Sequence, residues 1–172
     1  NTDGIGYIRS LREETGVDIA GKRVLLLGAG GAARGIAYAF AKAGAARITI
    51  VNRTEEKARR LADDLSRYGD VEGCGTERTE RAAAEADIIV NTTTVGMHPH
   101  VEGVPIDPAL LGPRHLVSDI VYNPLHTRLL REAQARGART HAGLGMFIYQ
   151  GAYAFEYWTG VPAPTQVMRR VV

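Results

Sequence analysis

The sequence predicts an α/β fold, a doubly wound and mostly parallel sheet with helices on both faces, and three observations carry this. Strand-like apolar runs alternate with helix-like runs along the whole chain, with no internal repeat or low-complexity segment. The buried-strand run Val24-Leu25-Leu26-Leu27 breaks into Gly28-Ala29-Gly30-Gly31 and then into an alanine-rich, helix-forming segment. Polar or glycine-rich clusters at residues 28–33, 52–54, 91–97, 120–123 and 142–146 close successive strand runs. In a parallel sheet with right-handed crossovers these clusters share one edge, beyond the carboxyl ends of the strands, where such folds bind ligands. Together they describe a Rossmann-like domain.

Residues 5–15 read as a helix, with Gly16 near its end. The first strand covers 23–27 and the helix after it 33–43, ended by Gly44. A second strand at 47–51 leads into a helix from about 55 to 68. Residues 71–73 make a poor third strand, and 81–85 a short helix. Strands follow at 88–91 and 116–120, separated by a loop bearing Pro99, Pro105, Pro108 and Pro113. The chain closes with a helix at 127–136, a short strand at 138–141 and a long helix at 145–158.

Composition limits what this fold serves. At 172 residues with 45% hydrophobic content, the chain can bury one sizeable core and is too short for two large domains. The net charge of +2 is spread along the chain, without the clustered basic and aromatic residues of a nucleic-acid surface. Cys74 is the single cysteine, which excludes a disulfide framework and a thiolate metal cluster and fits a reducing, cytoplasmic setting. No apolar run approaches the ~20 residues of a membrane span, and no signal peptide opens the chain. His98 and His100 flank Pro99, but two ligands without a third make no metal site. The chain starts at Asn1 rather than Met and meets a motif at once, so the expectation is a piece of a longer protein.

The glycine turn is a dinucleotide-binding signature. Gly28 permits the tight turn, Gly30 removes a side chain that would hold a pyrophosphate off the backbone, and Ala33 lets the helix pack closely on the strand. Free N–H groups at the helix start then face the phosphates. A plain strand-to-helix turn can carry the same glycines. At the end of the second strand, where an NAD site usually places a carboxylate, the sequence has Asn52-Arg53-Thr54. The Arg53 guanidinium can stack on adenine or pair with a 2′-phosphate, which favours NADP over NAD. Lys57, in the first turn of the next helix, opposes the macrodipole by about 0.3–1 kcal/mol unless an anion binds there. The plainer alternative is that Arg53 and Lys57 are solvated charges and Glu55 and Glu56 ordinary helix-start acids.

Six motifs, in order, carry a resemblance to a known family. They are Asn1-Thr2-Asp3-Gly4, Gly28-Ala29-Gly30-Gly31-Ala32, Asn52-Arg53-Thr54, Asn91-Thr92-Thr93-Thr94-Val95-Gly96-Met97, Asp119-Ile120-Val121-Tyr122-Asn123-Pro124, and Gly143-Leu144-Gly145-Met146 with Gln150. The chain resembles the NADP-binding half of the shikimate dehydrogenases, beginning at the segment that enters it. The resemblance implies reversible reduction of 3-dehydroshikimate by NADPH in the longer protein. It implies that Gly28, Ala29, Gly30, Gly31 and Ala32 hold the pyrophosphate. Asn52, Arg53, Thr54 and Lys57 would hold the adenosine 2′-phosphate, with Glu55 and Glu56 in the same cofactor segment. Lys57 stands where members often carry arginine, so charge is kept and bidentate pairing is lost. Ile120 and Gly143 would line the nicotinamide pocket with Met146 nearby, and Asp3, Tyr122 and Gln150 would face the substrate.

Hydride arriving at a ketone leaves an alkoxide that needs a proton, and an isolated aspartate, with a pKa near ~3.9, is ionised at neutral pH. The family uses a lysine hydrogen-bonded to the aspartate, so Asp3 is expected to orient the substrate hydroxyl and that lysine, which lies outside this chain. The piece alone should bind NADP without efficient turnover. Read without the resemblance, Asp3 is a turn or cap residue, Tyr122 a strand-end aromatic, and Gln150 a polar group at a domain seam. A quinate-preferring relative, a methylene-tetrahydrofolate dehydrogenase and a non-catalytic nucleotide-binding domain are the rival readings. The expected partners are a small-molecule substrate and a second copy in a homodimer, with no nucleic acid and no membrane.

Overall fold

The structure is a computed structural model and describes residues 2–172. Asn1, the first residue of the opening motif, lies outside the described residues. Six parallel strands form one sheet, in chain order β1 (Arg23–Leu27), β2 (Arg47–Val51), β3 (Val71–Cys74), β4 (Ile88–Asn91), β5 (Leu116–Asp119) and β6 (Arg139–His141). Their spatial order is β3-β2-β1-β4-β5-β6, so the direction of winding reverses between β1 and β4. Leu26 pairs with Ile50 on one side and with Val90 on the other, which fixes β1 at the centre.

Side chains alternate across a strand, so a run apolar at every position is buried on both faces. Val24 and Leu26 enter one core with Ile48, Ile50, Ile88 and Val90. Leu25 and Leu27 enter the other with Val51, Ile89 and Val117. The first core is covered by α1 (Asp3–Thr15), α2 (Gly31–Lys42), α3 (Glu55–Leu65) and α6 (Leu144–Thr159), through Tyr7, Leu11, Ile36, Phe40, Leu61 and Met146. The second is covered by α4 (Thr79–Glu85) and α5 (Arg128–Ala135), through Ala83, Leu129 and Leu130. The predicted doubly wound architecture is present, and the sheet is parallel at every pairing.

Several boundaries differ from expectation for local reasons. The α2 helix starts at Gly31 rather than at residue 33, because Gly30 is extended and the first turn uses a glycine that propensity disfavours. The α3 helix stops at Leu65 rather than near 68, where Tyr68 turns out to meet Tyr38 edge-on. The weak third strand extends to Cys74, and its Gly73 has a packing cause: a Cβ there would collide with the Ala58 backbone of α3. The α4 helix begins at Thr79, ahead of the expected 81, and β5 ends at Asp119, leaving Ile120 in the following loop. A last helix, α7 (Thr165–Val171), has no counterpart among the expected elements; it follows Pro162 and Pro164 and reaches back through Arg169 to the Tyr149 hydroxyl (3.5 Å).

A buried polar chain ties α1 to the far strands. His141, on β6, meets the Ser118 hydroxyl at Nδ1 (2.7 Å) and Ser10 Oγ at Nε2 (2.8 Å), and Ser10 donates onward to Glu14 (3.3 Å). Since the Ser10 proton goes to a carboxylate, its oxygen accepts from His141 Nε2–H, and Nδ1 accepts from Ser118. Burial lowers the His141 pKa from its ordinary value to about 4, although Glu14 Oε2 is 3.6 Å away.

An unfolded chain therefore takes up a proton at this histidine below about pH 6.5 that the folded chain refuses until about pH 4. Within that window folding stability should fall as pH falls, by up to about 1.4 kcal/mol per pH unit from this group. Burial raises the pKa values of Glu14 and Asp119, which oppose the trend at its acid end. The difference in urea-unfolding free energy between wild type and His141→Gln, followed from pH 7 to pH 4.5, isolates the histidine. A parallel pair of pH profiles would contradict the assignment.

Candidate active site

The glycine turn closes β1 and opens α2. Gly28 has φ +108, and a Cβ on it would lie 2.7 Å from Thr92 Oγ1 and 2.8 Å from Thr93 Cγ2, so both conformation and space require glycine. Gly30 and Gly31 differ: a Cβ on either meets no protein atom within 4 Å. Nothing in the fold demands these two glycines, which leaves an open ledge of backbone facing outward. No side chain caps the α2 N-terminus, so its N–H groups remain available to an anion. Ala33 is fully buried in the core that holds Val24 and Leu26, as close helix-to-strand packing requires.

At the end of β2, Asn52 Nδ2 donates to the Thr54 carbonyl (3.0 Å) and shapes the turn into α3. Glu55 pairs with Arg59 (2.7 Å) and Glu56 with Arg60, so both acids point along their own helix. Arg53 and Lys57 are exposed, and no carboxylate pairs with either among the described residues. Two unneutralised cations thus stand beside the uncapped helix. The sequence placed them there, and the structure adds that the nearby acids do not quench them.

On the other side of β1 the predicted nicotinamide residues come together. A Cβ on Gly143 would collide with the carbonyl of Ile120, so glycine alone lets these two segments touch. Met146 is buried in the core against which Ile120 packs. Tyr122 is exposed and stacks on Phe147 of α6, ring centroids 4.4 Å apart. Gln150 lies one turn further along α6, half-buried, and its backbone carbonyl accepts from the Thr2 hydroxyl (3.4 Å). Gly6 also brings α1 against Gln150, since a Cβ there would sit 2.9 Å from the Gln150 nitrogen. The first turn of α1, which carries Asp3, therefore meets the middle of α6 at Gln150.

The structure also gives places to residues that sequence reading left without a role. Asn91, Asp119 and Thr127 are fully buried polar residues at the carboxyl ends of β4 and β5 and the start of α5. Their signal in the sequence is a polar residue closing each of two apolar strand runs. Phe147 carries no signal of its own, and only the fold shows it under Tyr122. Among the described residues no group of three or more His, Cys, Asp or Glu is placed to hold a metal, and no helix is long and apolar enough to cross a membrane. A groove of about 1030 Å³ runs between α1 and α2, lined by Ile5, Ile8, Tyr38 and Tyr68.

The sequence and fold are similar to those of known proteins. Residues 10–109 match the family model of shikimate/quinate 5-dehydrogenases, and residues 143–172 that of the shikimate 5′-dehydrogenase C-terminal domain. The chain belongs to the shikimate/quinate dehydrogenase family. It is 49% identical over 175 residues to the NADP⁺ shikimate dehydrogenase of Geobacillus kaustophilus, covering 100% of this chain and 62% of that protein. The shikimate 5-dehydrogenase of Thermus thermophilus, solved with NADP(H) and shikimate, superposes with a TM-score of 0.84 at 35% identity, covering 100% of this chain and 63% of the other. The quinate dehydrogenase of Corynebacterium glutamicum, solved with NAD, gives 0.91 at 33% identity, with coverages of 99% and 61%. The chain spans about three fifths of the length of these relatives.

In a shikimate/quinate dehydrogenase domain built this way, the Gly143–Ile120 contact should tolerate no methyl group. Gly143→Ala is expected to cost about 1–3 kcal/mol of folding stability through overpacking against backbone and to weaken dinucleotide binding. Denaturant unfolding paired with titration calorimetry reads both. A variant as stable as wild type would show that the two segments can separate freely.

Proposed function

We propose that residues 1–172 are the NADP-binding domain of a shikimate dehydrogenase, which reduces 3-dehydroshikimate reversibly to shikimate with NADPH. The observation that carries this reading is the pairing of an uncapped, glycine-cleared helix N-terminus with the unneutralised cations Arg53 and Lys57 at the next strand end. The first fits a pyrophosphate and the second a further phosphate on the adenosine ribose. NADP(H), when bound, supplies or accepts the hydride. Backbone N–H groups of the turn at Gly28, Ala29, Gly30, Gly31 and Ala32 would bind its pyrophosphate. Asn52 and Thr54 shape the turn that presents Arg53, while Glu55 and Glu56 pair with Arg59 and Arg60 of their own helix. Ile120, Gly143 and Met146 would wall the nicotinamide side.

Substrate would lie between this wall and the meeting point of α1 and α6. Tyr122, braced by Phe147, and Gln150 can donate hydrogen bonds to substrate oxygens, and Asp3 accepts from a hydroxyl. Transfer of a proton to the developing alkoxide requires a donor beside Asp3. Lys22 precedes β1 at the opposite edge, Lys42 ends α2, and Lys57 belongs to the phosphate site. A lysine from outside this chain, held by Asp3, would complete the reaction.

Relatives have been solved with NAD as well as with NADP, so the NADP reading is tested by nucleotide choice in this protein itself. The full-length protein should bind NADP more tightly than NAD, and Arg53→Ala should reduce that preference by about 10- to 100-fold, as a charge-assisted phosphate contact is lost. Titration calorimetry with both nucleotides measures it, and equal affinities in wild type would defeat the NADP reading.

The substrate roles separate kinetically. Asp3→Asn in the full-length enzyme is expected to lower kcat by about 10²-fold or more with NADP affinity unchanged, while Gln150→Ala raises KM for shikimate with a smaller effect on kcat. Steady-state rates with both ligands varied distinguish the two. Wild-type turnover in Asp3→Asn would return that residue to a turn or cap role.

A further inference from the structure

The last residues of β4 and β5, Asn91 and Asp119, are register partners, and both are fully buried. Asp119 accepts three hydrogen bonds: at Oδ1 from the Val121 backbone N–H (3.0 Å) and Asn91 Nδ2 (3.1 Å), and at Oδ2 from the Thr127 hydroxyl (2.7 Å). Each group acts as a donor. A backbone N–H has no other role. The Asn91 amide is oriented by its remaining contacts, since Oδ1 accepts from Thr93 N (3.0 Å) and Thr93 Oγ1 (2.6 Å) while Nδ2 also donates to the Val95 carbonyl (3.2 Å). Thr127 Oγ1 accepts from Leu130 N as the N-cap of α5, and its proton goes to Asp119. Burial pushes the Asp119 pKa up, and the three donors pull against that shift. The Val121 N–H and the oriented Asn91 amide are fixed donors to Oδ1, and with the Thr127 hydroxyl on Oδ2 they form a set suited to an ionised carboxylate, which accepts at both oxygens.

This charge is buried without a cationic partner among the described residues, an arrangement that costs free energy unless hydrogen bonds and a positive group nearby offset it. Asp119 immediately precedes Ile120, the residue whose carbonyl abuts Gly143. Through Asn91 and Thr93 it also braces the loop that packs over Gly28. One carboxylate thus sits behind the edge where the proposed nicotinamide wall and the glycine turn meet. Oxidised nicotinamide carries a positive charge and the reduced ring none, so a fixed negative charge in a low-dielectric setting acts on one form only.

We propose that Asp119 is a positioning residue of the nicotinamide pocket whose buried carboxylate biases the bound cofactor toward its oxidised, cationic form. The inference rests on the NADP reading above. Its test is the ratio of NADP⁺ to NADPH affinities, measured by titration on the full-length protein. Asp119→Asn should weaken NADP⁺ binding about tenfold more than NADPH binding. Thr127→Val keeps the carboxylate and removes one of its donors, so it should weaken both forms alike and leave the ratio unmoved. Asp119→Ser, neutral and with room for a water, repeats the measurement if the asparagine variant does not fold.

Equal losses for the two forms in the Asp119 variants would make the residue a structural pin and overturn the proposal. A ratio shifted as strongly by Thr127→Val would also overturn it, because loop geometry rather than charge would then set the preference. A wild-type protein that binds neither dinucleotide defeats the NADP reading and this inference together. A wild type that binds both, with the ratio unchanged in the variants, defeats the inference alone.

Discussion

Burial of Val24, Leu25, Leu26 and Leu27 on both sides of β1 constrains everything around it. A strand with two dry faces needs a hydrogen-bonded neighbour on each edge and a helical layer on each face. Removing each such side chain from water contributes about 1.5–3 kcal/mol, so exposing either face is strongly unfavourable. Parallel neighbours on both edges force the chain to return through helices, and it winds one way through β2 and β3 and the other through β4, β5 and β6. The carboxyl ends of all six strands then share one edge. The loops that carry Gly28, Arg53, Asn91, Ile120 and Gly143 are neighbours because of that winding, although they are spread over more than a hundred residues of chain.

The second constraint is how closely backbones approach where side chains are absent. Gly6 lets α1 press on α6 beside Gln150, and Gly145 lets α6 press on α1 beside Ser10 and Glu14. Gly143 brings the start of α6 onto the Ile120 carbonyl. Helix α6 is consequently clamped between the first helix and the loop after β5. Tyr122, Phe147 and Gln150 inherit their positions from that clamp, and the Asp3 end of α1 is held near them. Gly30 and Gly31 make the contrast clear, since the fold leaves the space over them empty.

Two sets of buried polar residues act in separate places. Ser10, Ser118 and His141 hold α1 to β5 and β6 beneath the site, with the histidine kept neutral by burial. Asn91, Asp119 and Thr127 hold the loops at the carboxyl edge itself. Each of these groups has its partners in the structure, as burial demands of polar atoms. The first set fixes the frame, and the second fixes the geometry of the surface facing ligands.

The fold class, the glycine turn and the cationic end of β2 are legible in the chain alone, because they depend on local pattern: apolar period, glycine spacing and the residue at a strand tip. Strand positions are nearly as legible, except for β3, whose glycine looks like a break until α3 is seen to require it. Relations between distant segments come from the folded molecule. That Glu55 and Glu56 turn to Arg59 and Arg60 rather than to Arg53 depends on helix geometry and rotamers. That Asn91 faces Asp119 depends on β4 and β5 being register neighbours, and that Tyr122 rests on Phe147 depends on the α6 clamp. The α7 helix escapes a sequence reading because a seven-residue segment after two prolines has too little pattern to declare itself, and its contacts with Tyr149 and Glu14 arise only when α6 is in place. Periodicity encodes which face of an element is buried, whereas pair contacts across the sheet depend on register and packing that no single segment contains.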